Sequence, residues 1–286
     1  MTSPASSREG LVVDGLSVRY GGHLAVGNFS LSAPIGSITG LIGPNGAGKT
    51  TTFNACTGLV RPTTGHVRLF GEDVTGVSPQ GRAQRGLGRT FQRMELFDSL
   101  SVQENVELGR EAGLAGSKPW RHLLGRRSDV ALIRDVSLEA LQLCGIEHLS
   151  RRRPADLSTG QRRLVELARC IAGGFRIMLL DEPSSGLDKT ETVRFGEILQ
   201  LLVTNRDVGI LIVEHDMSLV MGVCNYIHVL DFGKPVFEGT AREVAHSPIV
   251  RAAYLGSEAV EDAVPADAER DPAADPEPVP AAAGRR

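Results

Sequence analysis

An α/β fold with a helical segment inserted into it is predicted by three features of the sequence. A short apolar strand runs into a glycine-rich turn and then a helix between residues 37 and 57, which is the entry to a nucleotide-binding sheet. Two continuous apolar runs, Ile177–Leu180 and Gly209–Val213, bracket the helical stretch Thr190–Val203, as buried parallel strands bracket their crossover helix. Between these halves, from about residue 93 to 170, the apolar period is helical, so a helical unit interrupts the α/β core.

In chain order, the strand-like runs Leu11–Tyr20, Phe29–Ala33, Ser37–Ile42 and His66–Phe70 are separated by Gly and Pro. The helix Lys49–Thr57 falls between the third and fourth. A helical pattern follows from about Ser101 to Leu143, broken at Gly113–Pro119, with a further helix from about Gly160 to Ala172. The folded region is therefore expected to span residues 11–256, after a disordered stretch at 1–10. Ser257–Arg286 holds eight acids, three arginines and five prolines, a composition that cannot form a core and is expected to be a disordered tail.

The 286 residues carry 31 Lys and Arg against 34 Asp and Glu, a net charge of −3. This balance argues against a nucleic-acid partner, which calls for a basic excess. Cys56, Cys144, Cys170 and Cys224 lie far apart with no C-x-x-C spacing, so they read as buried thiols of a reduced cytosol rather than as a zinc cluster or a disulfide framework. No stretch of about 18 apolar residues is present, the length needed for a spanning helix.

Gly43-Pro44-Asn45-Gly46-Ala47-Gly48-Lys49-Thr50 follows the strand ending at Ile42 and opens a helix, which is the context a phosphate loop requires. Glycines let backbone N–H groups and a helix N-terminus face phosphate, Lys49 reaches the β and γ phosphates, and Thr50 ligates Mg²⁺. Asp181 and Glu182 end the apolar run from Ile177, where a parallel sheet presents its ligands. Asp181 is expected to hold the metal through water and Glu182 to polarise the attacking water.

Leu157-Ser158-Thr159-Gly160-Gln161, followed by a helix, resembles the signature of ATP-binding cassette (ABC) ATPases. That family's other motifs stand in order: an aromatic, Tyr20, before the phosphate loop; Gln92 at the junction with the helical insert; Ser185-Gly186-Leu187-Asp188 after the acidic pair; and His215 after the next strand. The resemblance covers about residues 10–256. It implies a phosphate-loop fold with an antiparallel β subdomain and an inserted α-helical subdomain. It also implies ATP contacts at Tyr20, at Gly43 to Thr51, and at Ser158, Gly160 and Gln161, with Ser158 and Gly160 reaching the nucleotide held by an opposite subunit. Gln92 is implied to touch metal or water, His215 to hold the γ-phosphate and orient Glu182, and Asp188 to pair across the dimer. Thr159 stands where the family usually has glycine. Taken alone, the signature would be an ordinary capped helix start, and Asp188 a plain helix N-cap.

Finer matches, Thr51-Thr52-Phe53-Asn54, Arg89-Thr90-Phe91-Gln92, Glu214-His215-Asp216-Met217 and Ala253-Tyr254-Leu255-Gly256, resemble cassettes of branched-chain amino acid importers, with urea importers sharing most of them. The resemblance implies a peripheral ATPase at the cytoplasmic face of the cell membrane, using ATP and Mg²⁺. Its implied partners are membrane permease subunits, a second cassette of the same or a different chain and, indirectly, a solute-binding protein. Residues 110–130 sit where such subunits carry an insertion; a charge run there is expected to be a solvated loop, with lipid or permease contact as the alternative. An exporter cassette, as for lipopolysaccharide, is a nearer rival than a soluble ABC protein of translation or DNA maintenance. A GTPase or small-molecule kinase is excluded by the signature and by the lack of N-K-x-D.

Overall fold

The computed structural model describes residues 9–90, 96–115 and 127–253. Gln92, residues 1–8, much of the 110–130 segment and the 257–286 tail lie outside the described residues.

Strands β1 (Leu11–Tyr20), β2 (His23–Ala33), β4 (Thr64–Leu69) and β5 (Glu72–Asp73) form an antiparallel sheet in the order β2-β1-β4-β5. In β1 the residues Leu11, Val13, Leu16 and Val18 are buried, with register shifts absorbed around Gly15, whose φ is +57°. The strand expected at Phe29 begins at His23 instead. Gly27 and Asn28, the latter at φ +50°, obscure the alternation in sequence, and pairing with β1 carries the strand through them.

The second sheet contains β3 (Ile38–Ile42), β6 (Leu87–Arg89), β7 (Ile177–Asp181), β8 (Gly209–Val213), β9 (Tyr226–Asp231) and β10 (Lys234–Gly239), in the order β10-β9-β3-β8-β7-β6. All neighbours are parallel except the β9–β10 pair. Every residue of β3, β7 and β8 is buried, which explains why their sequences read as unbroken apolar runs. Alternate residues serve two cores. Leu41, Leu179, Leu211 and Val213 face the first sheet and helix α1 (Lys49–Thr57), while Ile42, Leu180, Ile210 and Ile212 face the remaining helices.

The second core is shared with the insert, whose helices α3 (Val102–Ala115), α4 (Arg127–Leu143) and α5 (Thr159–Ala172) pack on one another. Helix α3 continues through Gly113 to Ala115, slightly past the expected break. A short helix α2 (Pro79–Gln84) brings in Arg82, only 1% exposed. Its guanidinium donates to the Ala55 and Cys56 carbonyls at 2.7 and 2.6 Å and to Val77 and Thr75 carbonyls at 3.1 Å. A cation thus sits at the carbonyl end of α1, where the helix dipole favours one, and fixes the helix that opens at the phosphate loop. Helix α6 (Lys189–Asn205) crosses from β7 to β8, and α7 (Met217–Val223), α8 (Ala241–His246) and α9 (Pro248–Ala253) complete the chain. All four cysteines are buried free thiols, and burial pushes the Cys56, Cys144 and Cys170 thiols up to about 12. Among the described residues no helix is long and apolar enough to cross a membrane.

Candidate active site

Helix α1 differs at its start from its neighbours. Ser158, Asp188, Asp216 and Thr240 cap α5, α6, α7 and α8 with side-chain oxygens, whereas Gly48 offers α1 no side-chain cap. Its first N–H groups are thereby left to an external acceptor, as anion sites at helix N-termini require. The preceding loop needs its glycines. Gly43 has φ +151°, and a Cβ there would stand 2.1 Å from the Leu230 carbonyl oxygen; one at Gly48, φ +101°, would stand 2.8 Å from that of Ala25.

Lys49, 7% exposed, donates to the loop's own Gly43 and Pro44 carbonyls at 2.6 and 3.0 Å. Burial lowers its pKa, opposed by the charges of Glu182 and Asp181. The ammonium therefore lies between the loop and the acidic pair. Thr50 is exposed beside it. Tyr20, half-exposed at the end of β1, lies two residues beyond Val18, whose cross-strand partner Val26 backs Gly48. The hairpin thus carries the aromatic to the phosphate-loop edge.

Asp181 ends β7 and is 4% exposed. Burial, followed by the charge of Glu182, raises its pKa to about 6, with Glu214 adding to the rise and Arg89 and Lys49 opposing it. Among the described residues no group of three or more His, Cys, Asp or Glu forms a cation cage. A desolvated carboxylate facing Lys49, with the exposed Thr50 next to that lysine in sequence, nevertheless fits Mg²⁺, which takes one or two carboxylates and completes its shell with substrate phosphates and water. Asp181 and Thr50 are the residues that could hold it, and the ion would neutralise phosphate charge.

Because its native-state pKa lies above the ordinary carboxylate value, Asp181 holds its proton in the folded state to higher pH than in the unfolded chain. Its contribution to stability is therefore lost as pH rises from about 4 to about 6. Asp181→Asn should stabilise the nucleotide-free chain at pH 7–8 by on the order of 1–3 kcal/mol. That gain should vanish near pH 4. Urea midpoints of the two proteins across this range are the check, and a pH-independent difference would refute the cause.

Glu182 follows at φ +47°, a left-handed conformation that is costly for a residue with a Cβ. Its N–H donates to the Val213 carbonyl at 2.8 Å and its carbonyl accepts from Ser185 at 3.1 Å. His215 enters after β8, its Nδ1 4.0 Å from Glu182 Oε1 and 3.8 Å from Glu214 Oε2. Lys49, Asp181, Glu182 and His215 thus meet at the carboxyl ends of β3, β7 and β8. Thr90 binds the same strand end, taking the Leu179 carbonyl at 2.9 Å and accepting from the Asp181 N–H at 3.4 Å. It leads to Gln92, which lies outside the described residues.

The signature residues sit apart from this cluster. Ser158 and Gln161 form a capping box, with Gln161 N–H donating to Ser158 Oγ at 3.2 Å and Ser158 N–H to Gln161 Oε1 at 3.1 Å. A cavity beside Ser158, Gly160 and Gln161 is walled by α6 residues and includes no phosphate-loop residue. Gly160 lies against the Glu191 carboxylate, whose Oε1 is 2.2 Å from where a Cβ would stand, so a larger residue there would displace that side chain. Thr159 lies over Gly186, its Cγ2 2.7 Å from where a Cβ of Gly186 would be. Asp188 caps α6 by accepting from the Glu191 N–H at 2.8 Å. Glu214, Arg89 and Glu191 were missed as site residues by sequence reasoning. The signal for Glu214 was a carboxylate directly after the apolar run Gly209–Val213, the same arrangement that marks Asp181.

Residues 26–185 match the family model for the ABC transporter. The chain is 40% identical over 254 residues to the high-affinity branched-chain amino acid transport ATP-binding protein LivG of Salmonella typhimurium, covering 86% of this chain and 97% of that protein. The fold is similar to the ADP conformation of MJ1267, an ATP-binding cassette of an ABC transporter, with a TM-score of 0.77 and 26% identity over 87% of this chain and 99% of the other. It is also similar to the dimeric post-hydrolysis state of the cassette MJ0796 bound to ADP and Pi, with a TM-score of 0.69 and 25% identity over 81% and 99%. With the phosphate loop, the acidic strand end and the signature all present within that span, the chain belongs to the ABC transporter family as one of its ATP-hydrolysing cassettes.

Proposed function

We propose that this cassette energises an importer of branched-chain amino acids, hydrolysing ATP at the cytoplasmic face of the membrane while bound to permease subunits. The convergence of Lys49, Asp181, Glu182 and His215 at the carboxyl ends of adjacent strands supports the chemistry, and the likeness to LivG along nearly its whole length supports the solute. Residues 11–256 form the cassette, with the insert from about 93 to 170 and the tail after 256.

Lys49 and the uncapped α1 N-terminus bind the β and γ phosphates, and Tyr20 stacks on the base. Thr50 and Asp181, together with Gln92, would hold Mg²⁺, which would supply charge neutralisation. Glu182 accepts hydrogen-bonding from the attacking water and polarises it, while His215 holds Glu182 in place and faces the γ-phosphate. Ser158, Gly160 and Gln161 present the N-terminus of α5 to the nucleotide of a second cassette, and Asp188 lies at that contact. The cavity at the signature includes no phosphate-loop residue, which supports this division of the site between two subunits.

The solute is tested by deleting the gene in its host and measuring uptake of labelled leucine, isoleucine, valine and urea. Uptake of the three amino acids should fall at least about tenfold, because transport uncoupled from hydrolysis has no driving force, and return with the intact gene but not with Glu182→Gln. Loss of urea uptake alone would move the assignment to that solute. Unchanged uptake of all four, in a host lacking redundant systems, would leave only the ATPase.

A further inference from the structure

We infer that Glu214 is a positioning residue for hydrolysis: its carboxylate clamps the loop carrying Glu182 to the loop carrying His215 and so sets the spacing of the two. The inference rests on the proposed roles of Glu182 and His215.

Strands β7 and β8 are paired in register up to Asp181 and Val213, and the last backbone link between them is the Glu182 N–H to the Val213 carbonyl. Beyond that point the two chains separate and the ladder ends. The Glu214 side chain takes its place. Oε1 accepts from the Ser184 N–H at 2.7 Å, and Oε2 from the His215 N–H at 3.0 Å and the Asp216 N–H at 3.3 Å.

The carboxylate is completely buried. Among the described residues the one basic group within ion-pair distance is His215, at 3.8 Å. A buried charge is costly unless satisfied, and here backbone N–H groups from two loops satisfy it. Such an anion is a poor choice for a merely structural link, which an apolar contact could supply. Its value is directional, because N–H donors from one loop meet Oε1 and those from the other meet Oε2.

The consequence reaches Glu182 through Pro183 and Ser184. Glu182 is held at φ +47°, and a left-handed glutamate persists only where its surroundings impose it. Fixing Ser184 on one side and the Val213 link on the other does so. Releasing Ser184 lets Glu182 relax and carries its carboxylate away from His215, and phosphoryl transfer depends on such placement.

A glutamine at this position cannot substitute. It offers one acceptor oxygen, and whichever way the amide is turned, its NH₂ faces a backbone N–H. Glu214→Gln in the full chain should lower kcat for ATP by about 10- to 100-fold while leaving the ATP dissociation constant, read by calorimetry, within about threefold. A structural role alone would not produce the second readout. On the Glu182→Gln background, Glu214→Gln should cause no further loss, because it acts through Glu182.

Glu214→Asp keeps both oxygens and the charge but withdraws them by one methylene. It should fold, bind ATP normally and lose about tenfold in kcat, and it carries the test if the Gln variant fails to fold. Either variant hydrolysing ATP within twofold of wild type, or losses that multiply in the double mutant, would overturn the clamp. Should Glu182→Gln itself hydrolyse at the wild-type rate, the reading beneath the inference fails, and that result is distinct from any Glu214 outcome.

Discussion

Glu182→Gln should reduce ATP hydrolysis by about 10²- to 10⁴-fold, the range expected for removing a positioned general base, and leave ATP binding intact. The substitution preserves shape and hydrogen bonding but removes the negative charge that polarises water. The left-handed backbone at Glu182, its N–H bond to Val213 and the approach of His215 to 4.0 Å fix where that charge stands. With hydrolysis stopped, the ATP-bound subunits should accumulate as a closed dimer on a sizing column, or as a pair with a different cassette if the native assembly is mixed. Adding Ser158→Arg places a bulky cation at the exposed start of α5 and should abolish that dimer. Wild-type turnover by Glu182→Gln would defeat the catalytic assignment whatever the column showed.

Lys49→Met should weaken ATP binding by about 10²- to 10⁴-fold. The ammonium makes two bonds, to the Gly43 and Pro44 carbonyls, and exchanges them for phosphate oxygens when nucleotide enters. Charged hydrogen bonds are worth about 1.5–3 kcal/mol each, so two give the stated range. The free protein responds differently. Lys49→Met removes a desolvated charge but also its two carbonyl bonds and its attraction to Glu182 and Asp181, so the thermal midpoint without nucleotide should hold or fall slightly. The increase in midpoint that ATP gives the wild type should disappear. Calorimetric titration with ATP decides the matter: wild-type affinity in Lys49→Met would remove the lysine from the phosphate site.

The boundaries of α1 were legible to the residue in the sequence, as were those of β8, and β7 to within one residue. Their determinants are local: a glycine loop that only positive φ satisfies, and apolar runs without alternation because both faces are buried. The phosphate loop, the acidic pair and the signature were legible for the same reason, each being a contiguous string. By contrast, Leu87-Gly88-Arg89 of β6 has little local signature and becomes a strand by pairing with β7.

The tertiary structure alone decided how the strings combine. Nothing local to Leu157-Ser158-Thr159-Gly160-Gln161 reveals that Gly160 lies against the Glu191 carboxylate on α6, or that Thr159 covers Gly186. Nothing local marks Arg82, yet it is buried against the carbonyl end of α1. Glu214 reads as a polar neighbour of His215, yet its carboxylate gathers N–H groups from chain segments 30 residues apart. Backbone bends and apolar periods are properties of neighbouring residues, so the sequence determines them. The surroundings of a charge are set by whichever segments the fold brings together, and only the folded chain fixes those.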